Sequence, residues 1–204
     1  MARRKGPTNR DELKAKLLDA AESLLASGGT KNLTARNLAR AIGYSLGHVY
    51  NLVADMDELV LALNARTLAR LHAALEETAS VTKGPDQLYA FAETYLTFTA
   101  QHADLWHLVL SHRLAEGGTL PADYSARISA LPALVSKTLQ QLGPTRHADE
   151  IARDVAILWA GLHGLSSLDS AGRLALIGPH TAKTLAQQLI TRYLAGLTDG
   201  AKTP

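Results

Sequence analysis

Leucine and alanine recur at intervals of three and four residues along almost the whole chain. This spacing gathers apolar side chains on one face of an α-helix, and no two segments alternate in the way that paired strands require. Aromatic residues, which favour strands, make up only 5% of the sequence. We therefore predict an all-α fold of packed amphipathic helices.

The 204-residue chain contains no cysteine. A disulfide framework, a thiol nucleophile and cysteine-bound zinc are therefore excluded. No run approaches the roughly 18 apolar residues of a membrane-spanning helix, and no signal-peptide pattern follows the charged N-terminus. We expect a cytoplasmic protein with no membrane partner and no cofactor.

Basic residues are concentrated in the first quarter of the chain. Residues 1–52 hold nine Lys and Arg against four acids, whereas the whole chain has a formal net charge of +2. A basic first quarter followed by a slightly acidic remainder is typical of a chain with an N-terminal DNA-binding domain. A short solvated basic tail gives a similar distribution of charge. Charge alone leaves both interpretations open.

Capping residues, glycines and prolines divide the chain into helices. Thr34 and Ser45 are expected caps, Gly43 ends the helix between them, and Pro132 is expected to kink or split its helix. The predicted helices cover about 9–28, 34–42, 45–52, 55–82, 86–102, 104–115, 121–142, 147–170 and 179–197.

The two short helices that meet at Gly43 and Tyr44 are a candidate helix-turn-helix. In such a motif the first helix packs behind the second, which lies in the major groove of DNA. Short helix pairs with glycine turns are also common in helical bundles, so spacing alone does not decide between the two.

Residues 17–63 resemble the DNA-binding domain of the TetR family. The matching positions are Ala20, Ala21, Gly28, Gly29, Thr34, Leu38, Ala39, Gly43, Ser45, Gly47, Val49 and Tyr50. The resemblance implies a three-helix DNA-binding head over residues 1–54 and a helical ligand-binding and dimerisation domain over residues 55–204. The implied function is a homodimeric, ligand-responsive transcriptional repressor that binds a palindromic double-stranded operator.

The resemblance also implies which side chains contact DNA. These are Thr34, Arg36, Tyr44, Ser45, Leu46, Gly47, His48 and Tyr50. Glycine inside a helix costs about 1 kcal/mol relative to alanine, so Gly47 indicates a close approach of the backbone to a partner. Two alternatives remain open: the Tyr50 ring can be partly core with only its hydroxyl at DNA, and Arg3, Arg4 and Lys5 can form either a DNA-reaching arm or a solvated tail.

Three positions depart from the family pattern. Val53 stands where phenylalanine is usual, Met56 where a phosphate-contacting lysine usually opens the fourth helix, and His48 where threonine is frequent. These departures leave a rival hypothesis, a helical ligand-binding protein that retains a degraded DNA-binding head.

The segment around Trp159, His163 and Gly164 resembles the WHG ligand-domain subfamily of TetR-type regulators. This weaker resemblance implies a four-helix dimer interface, in which small residues allow the helices to approach closely. The implied dimerisation residues are Leu158, Gly161, Leu162, Leu165, Leu185, Leu189 and Tyr193.

Aromatic residues cluster in the part of the chain that lines the effector pocket of similar proteins. The implied ligand-binding residues are Tyr95, Phe98, Trp106, Arg113, Trp159 and His163. Such a pocket favours a flat, lipophilic or aromatic small molecule. Each of these residues also has an interpretation without a ligand. The aromatic residues can form an ordinary hydrophobic core, His163 can be a hydrogen-bonded core histidine, and Arg113 can be solvated.

Catalytic and metal sites find no support in the sequence. No phosphate-binding glycine loop, serine elbow or zinc-type His-Glu pair is present. His102, His107 and His112 are five residues apart, so each step turns about 500° and they do not share a helix face. We expect no enzyme activity and no metal site.

Overall fold

The computed structural model describes residues 10–111 and 120–200, and within these ranges the chain is helical with no strand. The all-α prediction is confirmed. The helices are α1 (Arg10–Gly28), α2 (Ala35–Ile42), α3 (Leu46–Leu52), α4 (Met56–Val81), α5 (Gly84–Gln101), α6 (Ala103–Ser111), α7 (Ala122–Leu142), α8 (Ala148–Ser170) and α9 (Ala182–Gly200). Arg3, Arg4, Lys5, His112 and Arg113 lie outside the described residues.

Helix α7 runs without interruption through Pro132, so the expected split of this helix does not occur. Proline removes the amide that would bond the carbonyl of Ile128, four residues earlier. Ile128 is exposed and Pro132 is only partly buried, so this part of α7 lies at the surface, where water can bond a carbonyl that lacks a partner. Two short 3₁₀ turns, Gly29–Asn32 and Leu174–Leu176, were not predicted.

The described residues divide into two compact units, and the division falls inside α4. The first unit contains residues 10–67, 104–111 and 120–121, and the second contains 68–103 and 122–200. Helix α6 belongs to the first unit because Leu108 is buried in that unit's core. The buried amide of Asn64 on α4 also donates to the Leu108 carbonyl.

The first unit buries one apolar face of each of its helices in a common core. Leu17 of α1, Leu38 of α2, Val49 of α3 and Leu59 of α4 are each completely buried there. Ion pairs join α1 to α4 at the edge of this core: Lys14 to Glu58 at 3.1 Å and Arg66 to Asp19 at 2.6 Å. The first unit is thus stabilised by apolar packing at its centre and by ion pairs at its edge.

The second unit is built around α5, α7, α8 and α9. Its core includes Leu88 of α5, Leu139 of α7, Ile151 of α8 and Ile190 of α9. The buried side chain of Gln87 accepts from Thr138 at 2.6 Å and donates to two carbonyls at the end of α4. No helix among the described residues is long and apolar enough to span a membrane.

Candidate nucleic-acid interface and ligand domain

The turn between α2 and α3 depends on Gly43. Its φ of 75° lies in the left-handed region, which glycine adopts without strain. The amide of Tyr44 then donates to the carbonyl of Ala39 at 3.0 Å, which closes the end of α2. The turn is short, since α2 ends at Ile42 and α3 begins at Leu46.

Both short helices have the predicted side-chain caps. The hydroxyl of Thr34 accepts from the amide of Asn37 at 3.2 Å, and that of Ser45 accepts from the amide of His48 at 3.4 Å. Each cap satisfies one of the amides that the first turn of a helix leaves without a partner. The two ends that frame the turn are therefore fixed by local bonds.

Helix α3 buries one side and exposes the other. Val49 and Leu52 are buried in the core of the first unit, whereas Leu46 is 45% exposed and Tyr50 is 47% exposed. The Tyr50 ring is therefore a surface group rather than a part of the core. Leu46 and Tyr50 are four positions apart, so they lie on the same exposed face of α3.

Gly47 has open space around its missing side chain. A Cβ built at this residue would have no neighbour closer than the Ser45 hydroxyl, at 3.9 Å. Packing within the chain therefore does not require glycine here. The close approach of a partner to this backbone stays a prediction, and the space for it is open.

Tyr44 connects α3 to α1. Its ring lies 5.2 Å from the His48 ring, and Lys16 Nζ lies 5.8 Å from the Tyr44 ring centroid. Lys16 also donates to the carbonyl of Ile42 at 3.2 Å, and Arg10 donates to the carbonyl of Asn51 at 3.3 Å. Neither of these α1 cations could be placed here from sequence, because only tertiary packing brings them close to α3.

The two unusual residues after α3 fit the core of the first unit. Val53 is 2% exposed and Met56 packs against the same core, so neither leaves a gap in it. Two side-chain bonds cap the start of α4: Asp55 accepts from the Glu58 amide, and Glu58 accepts from the Ala54 amide, each at 2.7 Å. The Ala54 bond also lowers the pKa of the Glu58 carboxyl.

Three of the predicted ligand-binding residues meet in the second unit. The hydroxyl of Tyr95 on α5 lies 3.0 Å from Nδ1 of His163 on α8, and the rings of Tyr95 and Trp159 are 5.4 Å apart. Burial lowers the pKa of His163, which favours a neutral imidazole. We call Tyr95, Trp159 and His163 the aromatic cluster.

Phe98 and Trp106 have other neighbours, and Arg113 lies outside the described residues. Phe98 is buried and its ring contacts His102 at 4.6 Å, whereas Trp106 is buried in α6, which belongs to the first unit. A separate groove of about 450 Å³ lies between α4 and α7 of the second unit. Alanines 69, 73, 126 and 130 line it, and His72, Glu76, Asp123 and Arg127 supply its polar groups.

The predicted dimerisation residues lie on α8 and α9, but several of them pack within the chain. Leu158 is 3% exposed and belongs to the core of the second unit. A Cβ at Gly161 would lie 2.6 Å from Leu189 Cδ2, so this glycine allows close contact between α8 and α9. The outer side of α8 instead exposes Ile157, at 54%, and leaves open space beside Gly164.

Tyr193 on α9 takes part in a polar cluster with α8. Its hydroxyl contacts Asp154 at 2.8 Å and Arg146 at 3.1 Å, and Arg146 forms an ion pair with Asp154. Burial and the bond to Asp154 raise the pKa of Tyr193 to about 12. The hydroxyl end of this side chain therefore has a structural role within the chain.

Two family models match the chain. Residues 17–63 match the model for bacterial regulatory proteins of the tetR family. Residues 88–193 match the model for a tetracyclin repressor-like C-terminal domain. The first match covers the helix-turn-helix and the start of α4, and the second covers most of α5 to α9. No curated protein matches the chain.

Solved structures with the same fold cover nearly the whole chain. A protein of unknown function from a Rhodococcus species has a TM-score of 0.78 and 22% identity, covering 96% of this chain and 98% of its own. A putative transcriptional regulator from Pseudomonas aeruginosa has a TM-score of 0.71 and 21% identity, with coverages of 96% and 94%. The TetR family transcriptional regulator PfmR from Thermus thermophilus has a TM-score of 0.60 and 17% identity, with coverages of 86% and 95%.

Proposed function

The chain belongs to the TetR family of bacterial transcriptional regulators, and we propose that it is a homodimeric repressor that releases its operator when a small molecule binds. In this proposal residues 1–54 bind DNA, and residues 55–204 bind the effector and form the dimer. Repression is the commoner action in the family, and the protein would act in the cytoplasm.

The exposed side of α3 is the observation that carries the DNA-binding proposal. Leu46 and Tyr50 are exposed there, while Val49 and Leu52 hold the helix to the core from the other side. A helix anchored in this way can enter a major groove without losing its own packing. The Tyr50 hydroxyl can then bond a phosphate, and Leu46 can contact a thymine methyl.

The packing of the head argues against the rival hypothesis of a degraded DNA-binding domain. A head that no longer binds DNA has no need to keep the left-handed turn at Gly43 or the exposed side of α3. Here Val53 fills the core, and both Thr34 and Ser45 retain their caps. These features favour a head that binds DNA. Met56 cannot make the phosphate contact that a lysine at its position would make.

We propose that two copies pair through the outer side of α8 and the adjoining side of α9. Ile157 is an exposed large apolar residue, and the small residues Ala156 and Ala160, one position before it and three after it, are also exposed. Small residues let a second helix approach, and burial of an isoleucine contributes about 1.5–3 kcal/mol. A symmetric dimer would place its two recognition helices roughly 34–36 Å apart, in successive major grooves of a palindromic site.

The aromatic cluster and the α4–α7 groove are the places at which an effector is proposed to act. The cluster is aromatic, and its polar atoms are the Tyr95 hydroxyl, the His163 ring nitrogens and the Trp159 indole N–H, which suits an uncharged lipophilic or aromatic ligand. Helix α4 has residues in both units, so a ligand that displaces α4 would disturb the head. The size of its effect is limited to its difference in affinity between the two states.

The proposed function is tested by selecting bound sequences from a pool of random duplex DNA at two salt concentrations. We expect a palindromic site whose affinity falls steeply as salt rises, because phosphate contacts release counterions. Complexes on that site should contain two protein chains. Retention of no specific sequence would support the rival ligand-binding hypothesis and contradict the proposed operator.

A further inference from the structure

Four residues at the junction of α1 and α3 form a polar cluster beside the recognition helix. We call Lys16, Tyr44, Ser45 and His48 the Lys16 cluster. The rings of Tyr44 and His48 are 5.2 Å apart, and Lys16 Nζ is 5.8 Å from the Tyr44 ring centroid. Lys16, Ser45 and His48 are exposed, and Tyr44 is half-buried.

Lys16 is held in this position by two contacts. Its ammonium donates to the Ile42 carbonyl at 3.2 Å, close to the C-terminal end of α2, where a cation is favoured. An ammonium has three N–H donors, so this bond leaves it able to donate to a second acceptor. The Tyr44 ring on its other side adds a weak attraction for the cation.

His48 is held by Ser45 as well as by Tyr44. Ser45 Oγ lies 3.2 Å from His48 Nδ1 and also accepts from the His48 amide at 3.4 Å. When the Ser45 hydroxyl donates to Nδ1, the ring proton is on Nε2, which can then donate to an acceptor outside the cluster.

We propose that the Lys16 cluster binds the phosphate backbone of DNA at the edge of the recognition helix. This inference rests on the proposed operator binding. Lys16 supplies a positive charge and His48 Nε2 supplies a donor, and both suit phosphate oxygens. Lys16 thereby gives the head a cationic contact to a DNA phosphate, which the uncharged Met56 cannot make.

The test compares two α1 lysines that differ in their partners. Lys16 is held by an uncharged carbonyl, whereas Lys14 is paired with Glu58 at 3.1 Å. Lys16→Gln and Lys14→Gln change the net charge equally, so Lys14→Gln is the matched control. Affinity of each full-length variant is measured on the selected duplex and on a scrambled duplex, over a series of salt concentrations.

Lys16→Gln is expected to weaken binding to both duplexes by a similar factor, about three- to tenfold at low salt. The slope of log affinity against log salt should fall by about 1, since one phosphate contact is lost. Lys14→Gln should leave this slope unchanged. Equal effects of the two variants, or an unchanged slope in Lys16→Gln, would overturn the proposal.

His48→Ala separates a phosphate contact from a base contact. The expected result is a loss of about fivefold on both duplexes, with an unchanged base preference at every position of the site. A changed preference at one position would mean that His48 binds a base edge and would overturn its assignment to the backbone.

The wild-type protein separates the inference from the proposed function. Salt-dependent DNA binding by the wild-type protein, without the expected effects of Lys16→Gln and His48→Ala, would overturn the inference and leave the operator function intact. Absence of any DNA binding by the wild-type protein would overturn both.

Discussion

The hydroxyl of Tyr193 on α9 lies 2.8 Å from Oδ2 of Asp154 on α8. Arg146 contacts the same carboxylate and the same hydroxyl, so the three side chains tie the two helices together within one chain. A hydrogen bond to a charged group contributes more to stability than one between neutral groups. The polar end of Tyr193 therefore stabilises the domain whether or not its ring also faces a second copy.

Replacing Tyr193 by phenylalanine should destabilise the protein. The variant loses the bonds to Asp154 and from Arg146 but keeps the ring and the Arg146–Asp154 ion pair, so we expect a loss of about 1.5–3 kcal/mol in the free energy of unfolding. Urea denaturation followed by circular dichroism measures this quantity. A variant as stable as the wild-type protein would show that water replaces the hydroxyl without cost.

Acid should weaken the second unit through His163. Burial lowers the pKa of this imidazole in the folded protein, so its contribution to stability is present above the ordinary value of about 6.5 and is lost as the pH falls below it. The urea midpoint should therefore drop more between pH 7.5 and pH 5.5 in the wild-type protein than in His163→Gln, which cannot titrate. Equal drops in the two proteins would contradict this account.

A lysine at position 56 should strengthen DNA binding. Met56 opens α4 and is only partly buried, and the stem of a lysine can cover the same apolar surface. Met56→Lys should tighten binding to any duplex and increase the salt slope by about 1. Fluorescence anisotropy at several salt concentrations measures both effects, and Met56→Gln serves as the uncharged control. Equal slopes in the two variants would show that position 56 does not face a phosphate.

A charge on the outer side of α8 should break the proposed dimer. Ile157→Glu would place a carboxylate from each copy in the interface, and we expect the dimer dissociation constant to rise roughly hundredfold. Sedimentation equilibrium gives this constant directly. Ile128→Glu, on the exposed side of α7, is the matched control and should remain a dimer. Dissociation of both variants to the same extent would contradict the assignment of the interface to α8.

Local signals allowed the helix-turn-helix to be predicted closely. Thr34, Gly43 and Ser45 act through bonds to residues within five positions of themselves, so their effects can be derived from sequence. The exposed side of α3 follows equally from the burial of Val49 and Leu52, three positions apart. Lys16 could not be identified in the same way, because its contact with Ile42 joins residues 26 positions apart.

The second half of the chain was harder to interpret in detail. Helix α8 has apolar residues on several sides, so periodicity could not separate Leu158, which is in the core, from Ile157, which is exposed. The bond between Asn64 and Leu108, which helps to hold α6 in the first unit, spans 44 positions and leaves no local pattern. Helices could thus be located from sequence, whereas their partners required the tertiary structure.

The most direct test of the account is the affinity of Tyr50→Ala for the selected duplex. Tyr50 is an exposed ring on α3, so its removal should not disturb the core of the head. We predict that the variant remains a folded dimer and that its affinity falls about tenfold or more. A folded, dimeric Tyr50→Ala protein that binds the duplex as tightly as the wild-type protein would contradict the assignment of DNA binding to the exposed side of α3.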